Sequence, residues 1–203
     1  PQVYAAGGET LRVGLVGCGG RGSGAAAQAL KADRNVKLVA MGDAFDDRLR
    51  SSLTLLRNRK DLAGKLDVAP EACFVGFDAY KQVIEACDVV LLCTTPHFRP
   101  LHMRAAAEAK KHMFVEKPVA VDAPGVRSIL ESARIARENK LNVVSGLCYR
   151  YMFAKQATIE HVHAGDIGQI VAMETTYNTG GLWHRGRKPE WSAMEWQIRN
   201  WLY

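Results

Sequence analysis

Three glycines spaced Gly17-x-Gly19-x-x-Gly22 directly follow the apolar run Leu11–Val16, and this spacing suits bringing backbone against a phosphate. Gly17 permits a tight turn, Gly19 removes the Cβ that would hold an anion away from backbone N–H groups, and Gly22 lets a following helix pack close to the strand. The N-terminus of that helix then faces the anion, with Gly20 and Arg21 as further candidate contacts within the turn. Glycine-rich turns also join strands to helices for structural reasons alone, so context decides. A second apolar run, Val36–Met41, ends at Gly42-Asp43, where a carboxylate can accept both hydroxyls of an adenosine ribose. The alternative for Asp43 is a helix N-cap or a loop acid. Ala44 is neither basic nor hydroxylic, so nothing immediately beyond Asp43 receives a 2′-phosphate, and NAD is favoured over NADP. Arg21 weighs the other way, because a guanidinium in the turn can pair with a phosphate.

Two more clusters carry chemistry. Thr94-Thr95-Pro96-His97 closes an apolar run, and its threonines are placed to hydrogen-bond a cofactor at a strand end. His97 is either a contact to the nicotinamide ribose or a loop histidine with a structural hydrogen bond. Glu116-Lys117-Pro118 follows the short run His112–Val115. A partly desolvated lysine can hold a hydroxyl and take or relay its proton, because burial disfavours its charged form. The bland alternative is an exposed loop lysine.

The elements needed to position these residues are legible as alternating strands and helices. The first βαβ unit has its helix from Ser23 to about Asp33. A helix over Asp46 to about Lys60, a strand near Cys73–Phe77 and a helix over Asp78–Ala86 follow. Asp88–Thr95 is apolar on both faces, as a buried parallel strand must be when helices cover each side of a sheet. A helix from Phe98 to about Lys110 precedes the strand His112–Val115. Asp122 caps the next helix, with Pro124 in its first turn and an expected apolar face of Val126, Ile129, Leu130, Ala133 and Ala136. Asn142–Leu147 completes the sheet. The fold class is α/β, a Rossmann-type doubly wound parallel sheet.

Composition bounds the remaining classes. The 203 residues allow one domain and part of another, and 48% apolar residues suffice for a packed core. The net charge of +6 is spread along the chain without aromatic interleaving, so nucleic acid is not an expected partner. Cys18, Cys73, Cys87, Cys93 and Cys148 lack C-x-x-C spacing and read as reduced core residues. His161 and His163 lie two apart on an expected helix and point to different sides, and no metal site is visible. No apolar run approaches the roughly 18 to 20 residues that span a bilayer, so a soluble chain without a membrane partner is expected. Val3-Tyr-Ala-Ala6 is either the remainder of a signal sequence, which would place the protein in the periplasm, or an arbitrary boundary of a cytoplasmic one.

Taken together, the glycine turn, Asp43, Thr94-Thr95-Pro96 and Glu116-Lys117-Pro118 resemble the Gfo/Idh/MocA family, named for glucose-fructose oxidoreductase and inositol dehydrogenase, over about Leu11 to Tyr177. The resemblance implies an NAD(P)-binding Rossmann domain over residues 11–148 after a ten-residue extension, and the beginning of an α+β open-sheet domain over 149–203. It also implies hydride chemistry on a sugar, cyclitol or related polyol. Lys117 would lie near the nicotinamide and the substrate hydroxyl, and Glu116 and Pro118 would shape the cofactor pocket. His97 departs from the asparagine that many members carry there. Family members also use an acid and a histidine from the second domain, which this chain does not reach, so an N-terminal portion of a longer enzyme is expected. In that domain Phe153–Ala164 reads as a helix and Gly168–Tyr177 as a strand, with Ile170, Ala172 and Glu174 alternating. Tyr149 and Arg150 are candidate substrate contacts, with Arg150 alternatively pairing an acid at the domain junction. The tryptophan-rich tail from Thr179 (Trp183, Trp191, Trp196, Trp201) suits either core packing or polyol recognition. The family's open sheet implies a homo-oligomer for the whole protein. Two other readings stay open: a dinucleotide-binding regulatory or scaffolding protein without chemistry, and a redox-neutral sugar-modifying enzyme that recycles bound NAD.

Overall fold

A computed structural model describes residues 10–200 of the chain, which divides at Leu147/Cys148 into two compact units. In the first unit, six parallel strands are ordered β3-β2-β1-β4-β5-β6. They are β1 (Leu11–Val16), β2 (Val36–Asp43), β3 (Cys73–Val75), β4 (Val89–Leu92), β5 (His112–Val115) and β6 (Val143–Ser145). The helices between them are α1 (Gly20–Ala32), α2 (Asp46–Arg57), α3 (Ala79–Ala86), α4 (Arg99–Glu108) and α5 (Ala123–Glu138). Chain direction across the sheet reverses between β1 and β4, and there the ends of these strands leave the crevice in which open α/β sheets bind ligands.

Alternate residues of the central strands feed two cores. Val13, Leu15 and Leu91 join Leu30, Leu49 and Leu56 on the α1/α2 side. Val16, Val90 and Leu92 join Val83, Met103 and Ile129 on the side of α3, α4 and α5. Gly14 allows α3 to approach β1, since a Cβ there would lie 2.6 Å from Val83 Cγ1. The buried hydroxyls of Ser23 and Ser52 satisfy each other at 2.7 Å between α1 and α2.

Several boundaries differ from the sequence reading. α1 begins at Gly20 instead of Ser23, drawing part of the glycine turn into the helix. In α5, Asp122 caps by accepting from the Gly125 N–H at 2.7 Å. Its inward stripe is Ile129, Ser132 and Ala136, whereas Val126 and Leu130 are exposed, because α4 covers a narrower arc than the apolar residues occupy. Ser132 spends its hydroxyl on the Ser128 carbonyl at 2.8 Å and so can sit inside.

The second unit holds α6 (Phe153–Ala164), which ends at Gly165 with φ +87°, and α7 (Ala193–Ile198). Gly168–Tyr177 forms no strand: no partner ladder exists for it among the described residues, and Val171 and Met173 are almost fully exposed. Residues 185–200 close on themselves. Trp196 Nε1 donates to the Arg185 carbonyl at 2.7 Å, and the buried Asn200 Oδ1 accepts from Arg185 N at 2.7 Å. Trp191 lies under the charged ends of Lys188 and Arg199, while Trp183 is exposed. The readings of residues 1–9 and of Trp201 fall outside the described residues.

All five cysteines are free. Cys18 and Cys87 are buried, but Cys148 is exposed in the turn after β6, so it is not a core residue. Among the described residues no helix is long and apolar enough to cross a membrane.

Candidate functional site

At the end of β1 the glycines occupy positions with little room for alternatives. Gly17 has φ +94°, and a Cβ on it would lie 2.6 Å from the backbone of Cys93 and Thr94. Its N–H donates to the Gly42 carbonyl at 2.8 Å, tying the turn to β2. A Cβ on Gly22 would fall 1.8 Å from the Gly17 carbonyl oxygen. Gly19 and Gly20, by contrast, have open space where side chains would be. Gly19 is the N-cap of α1 and supplies no capping side chain, so the first turn of the helix presents its N–H groups toward that space. The absence of two Cβ atoms there leaves a cradle that fits a pyrophosphate.

Asp43 ends β2 beside this turn. Its Oδ2 accepts from Cys18 N at 2.6 Å and its Oδ1 from Phe45 N at 3.0 Å. Burial pushes its pKa up, and the two backbone donors pull against that shift. The donors fix the carboxylate plane, and each oxygen keeps a lone pair for a ribose hydroxyl. Beyond Asp43 a cleft is lined by Ala44, Phe77, Tyr80, Phe98 and His102, with Phe77 and Phe98 stacked at 5.9 Å. These flat apolar faces next to a carboxylate suit a nucleoside.

The β4 end supplies the opposite wall. Thr94 Oγ1 lies 3.3 Å from His102 Nδ1, and His102 stacks on Tyr80 at 4.3 Å. Burial pushes the His102 pKa down to about 4 and keeps the ring neutral. The Thr95 hydroxyl is buried with no hydrogen-bond partner among the described residues. Pro96 is buried, and His97 is exposed with its ring edge-on to Phe98.

The β5 end carries Glu116-Lys117-Pro118, with a cis peptide before Pro118. Glu116 is buried and accepts from Arg21 Nε and from Lys117 N, the latter at 2.9 Å. Gly146 leaves room for this carboxylate, since a Cβ there would lie 3.0 Å from it. Lys117 is exposed. Arg21, a candidate phosphate contact in the sequence reading, pairs through Nε with Glu116 and so joins the glycine turn to the lysine loop. Tyr149 and Arg150 are exposed in a single helical turn, Cys148–Tyr151, of the second unit.

Arg99 escaped the sequence reading. It is fully buried at the start of α4 and donates to the carbonyls of Thr94 and Pro118. Its signal was present: Arg99 shares helical spacing with the buried residues Met103, Ala106 and Ala107, which placed an arginine in an inward register.

A parallel sheet of this strand order, with a glycine cradle after β1 and a carboxylate ending β2, defines a dinucleotide-binding Rossmann domain. The sequence profile of the Gfo/Idh/MocA oxidoreductase family, described as having an NAD-binding Rossmann fold, matches residues 11–146, and the chain belongs to that family. It is 33% identical over 144 residues to an inositol 2-dehydrogenase of Agrobacterium fabrum, an alignment covering 70% of this chain and 38% of that protein. It is 24% identical over 173 residues to a glycosyl hydrolase family 109 protein of Porphyromonas gingivalis, covering 83% and 34% respectively. The fold is shared with scyllo-inositol dehydrogenase from Lactobacillus casei, solved with NAD(H) and scyllo-inositol, at a TM-score of 0.60 and 22% identity over 79% of this chain and 43% of that one. The chain thus spans between a third and two fifths of the length of these curated relatives.

Proposed function

We propose that this chain carries the cofactor site and the reacting lysine of an NAD(P)-dependent oxidoreductase acting on a hydroxyl of a sugar, cyclitol or related polyol. The observation that carries the reading is the Arg21–Glu116 ion pair, which brings the Lys117 loop to the glycine turn although the two lie 95 residues apart. The inositol dehydrogenases among the relatives support the same substrate class.

In this reading the N–H groups around Gly19, Gly20 and Gly22 hold the pyrophosphate. Asp43 holds the adenosine ribose, and Thr94, Thr95, Pro96 and His97 border the nicotinamide half. The bound nicotinamide supplies the site that accepts or returns hydride. Lys117 holds the substrate hydroxyl and takes or relays its proton, while Glu116 and Pro118 set the direction of the loop. NAD is preferred over NADP, because the Asp43 carboxylate would repel a 2′-phosphate at the ribose and Arg21 is engaged by Glu116. Tyr149 and Arg150 are proposed substrate contacts, and the whole protein is proposed to be a homo-oligomer.

A second reading rests on the glycosyl hydrolase family 109 relatives. In it the dinucleotide stays bound, hydride is returned to the substrate, and the net reaction is cleavage or isomerisation of a sugar. The test is a screen of the whole protein with NAD against inositols, hexoses and aryl glycosides, following absorbance of NADH and release of the aryl group. Polyol-dependent NADH formation abolished by Lys117→Ala supports the first reading. Glycoside cleavage without net NADH supports the second, and dinucleotide binding with neither activity would favour a regulatory protein.

A further inference from the structure

Arg99 is the largest fully buried side chain in the first unit and one of its few buried charges, and the cofactor assignment gives it no task. Its guanidinium spans two loops: one arm donates to the carbonyl of Thr94 at the end of β4, the other to the carbonyl of Pro118 immediately after Lys117. Burying an arginine to bind two backbone carbonyls is costly, and burial pulls its pKa down to about 10 even though Glu116 acts the other way. A leucine would fill the same helical register at lower cost. What an arginine adds is a rigid planar fork that fixes the separation of its two acceptors.

We propose that Arg99 is a positioning residue that clasps the Lys117 loop to the β4 end, fixing where the lysine stands relative to the threonine wall. Glu116 holds the loop from its N-terminal side through the Lys117 N–H, and Arg99 holds it from the C-terminal side through Pro118. Lys117 is therefore bracketed by two anchored neighbours while its own side chain stays free to reach a substrate. Any catalytic consequence rests on the proposed role of Lys117; the clasp itself does not.

The test uses the whole protein with Arg99→Gln and Arg99→Lys. The rate at which sulfosuccinimidyl acetate acylates Lys117, read by peptide mass spectrometry in the cofactor-free protein, reports the loop directly. NADH affinity reports the glycine turn and Asp43. The clasp predicts a Lys117 acylation rate changed by about threefold or more in both variants, with NADH affinity within about threefold of wild type. Where polyol turnover is found, kcat falls about tenfold or more with little change in KM, and Arg99→Lys does not rescue it, because an ammonium cannot replace the fork. Folded variants whose Lys117 reacts like wild type would overturn the proposal. So would the failure of both variants to fold, which would assign Arg99 to stability alone. A changed acylation rate in a protein that turns over no polyol would leave the clasp standing and remove the proposed activity.

Discussion

Asp43 fixes the glycine turn through Cys18 N, and in the proposed site the same carboxylate holds the adenosine ribose. Asp43→Ala is expected to weaken NADH binding by about tenfold or more, read by calorimetry, since two hydrogen bonds to a charged acceptor are lost. Because burial raises the Asp43 pKa, the loss of affinity on acidification should begin at a higher pH than an ordinary aspartate would give. Gly22→Ala should abolish dinucleotide binding or folding, as its Cβ would meet the Gly17 carbonyl at 1.8 Å. His102 gives a stability signature. Its folded pKa of about 4 lies below the usual 6.5, so as pH falls the unfolded chain takes up the proton first. The stabilisation is complete above about pH 6.5 and is lost at about 1.4 kcal/mol per pH unit down to about pH 4. Urea unfolding of wild type and His102→Phe between pH 7 and 4 should show a flatter profile for the variant.

At the scale of elements, α5 separates what sequence can say from what it cannot. The Asp122 cap and the Pro124 start were legible because capping is local chemistry, and Asp122→Ala is expected to cost about 1 kcal/mol in thermal or urea unfolding. Its buried face was not, because apolar periodicity marks an arc, and the part of the arc that is covered depends on where α4 lies. Accordingly Ile129→Ala should destabilise by about 2 to 4 kcal/mol and Leu130→Ala by well under 1. The strand β4 was legible because residues apolar on both faces leave few alternatives to a buried parallel strand, and β1, β2 and β5 as short apolar runs leading into turn motifs. Residues 168–177 show the converse: alternation alone makes no strand without a ladder partner. The candidate site was legible as far as its motifs are local, which covers the glycine turn, Asp43 and the lysine tripeptide. The Arg21–Glu116 pair and the Arg99–Pro118 hydrogen bond were hidden, since each joins residues brought together only by the crossover connections.

On the scale of the whole molecule, the doubly wound order places every cofactor candidate at the strand ends of the first unit, while the second unit adds helices and a self-contained tryptophan-rich segment. The strands β2, β1, β4 and β5 are neighbours in the sheet, so a dinucleotide laid across their ends is expected to bind the first unit without help from the second. The most direct test of the account is calorimetric titration of the chain with NAD, NADH, NADP and NADPH, alongside Asp43→Ala and Lys117→Ala. The account predicts binding of NAD and NADH in preference to the phosphorylated pair, lost in Asp43→Ala and retained in Lys117→Ala. Failure of every dinucleotide to bind a folded chain, or binding that survives Asp43→Ala unchanged, would contradict it.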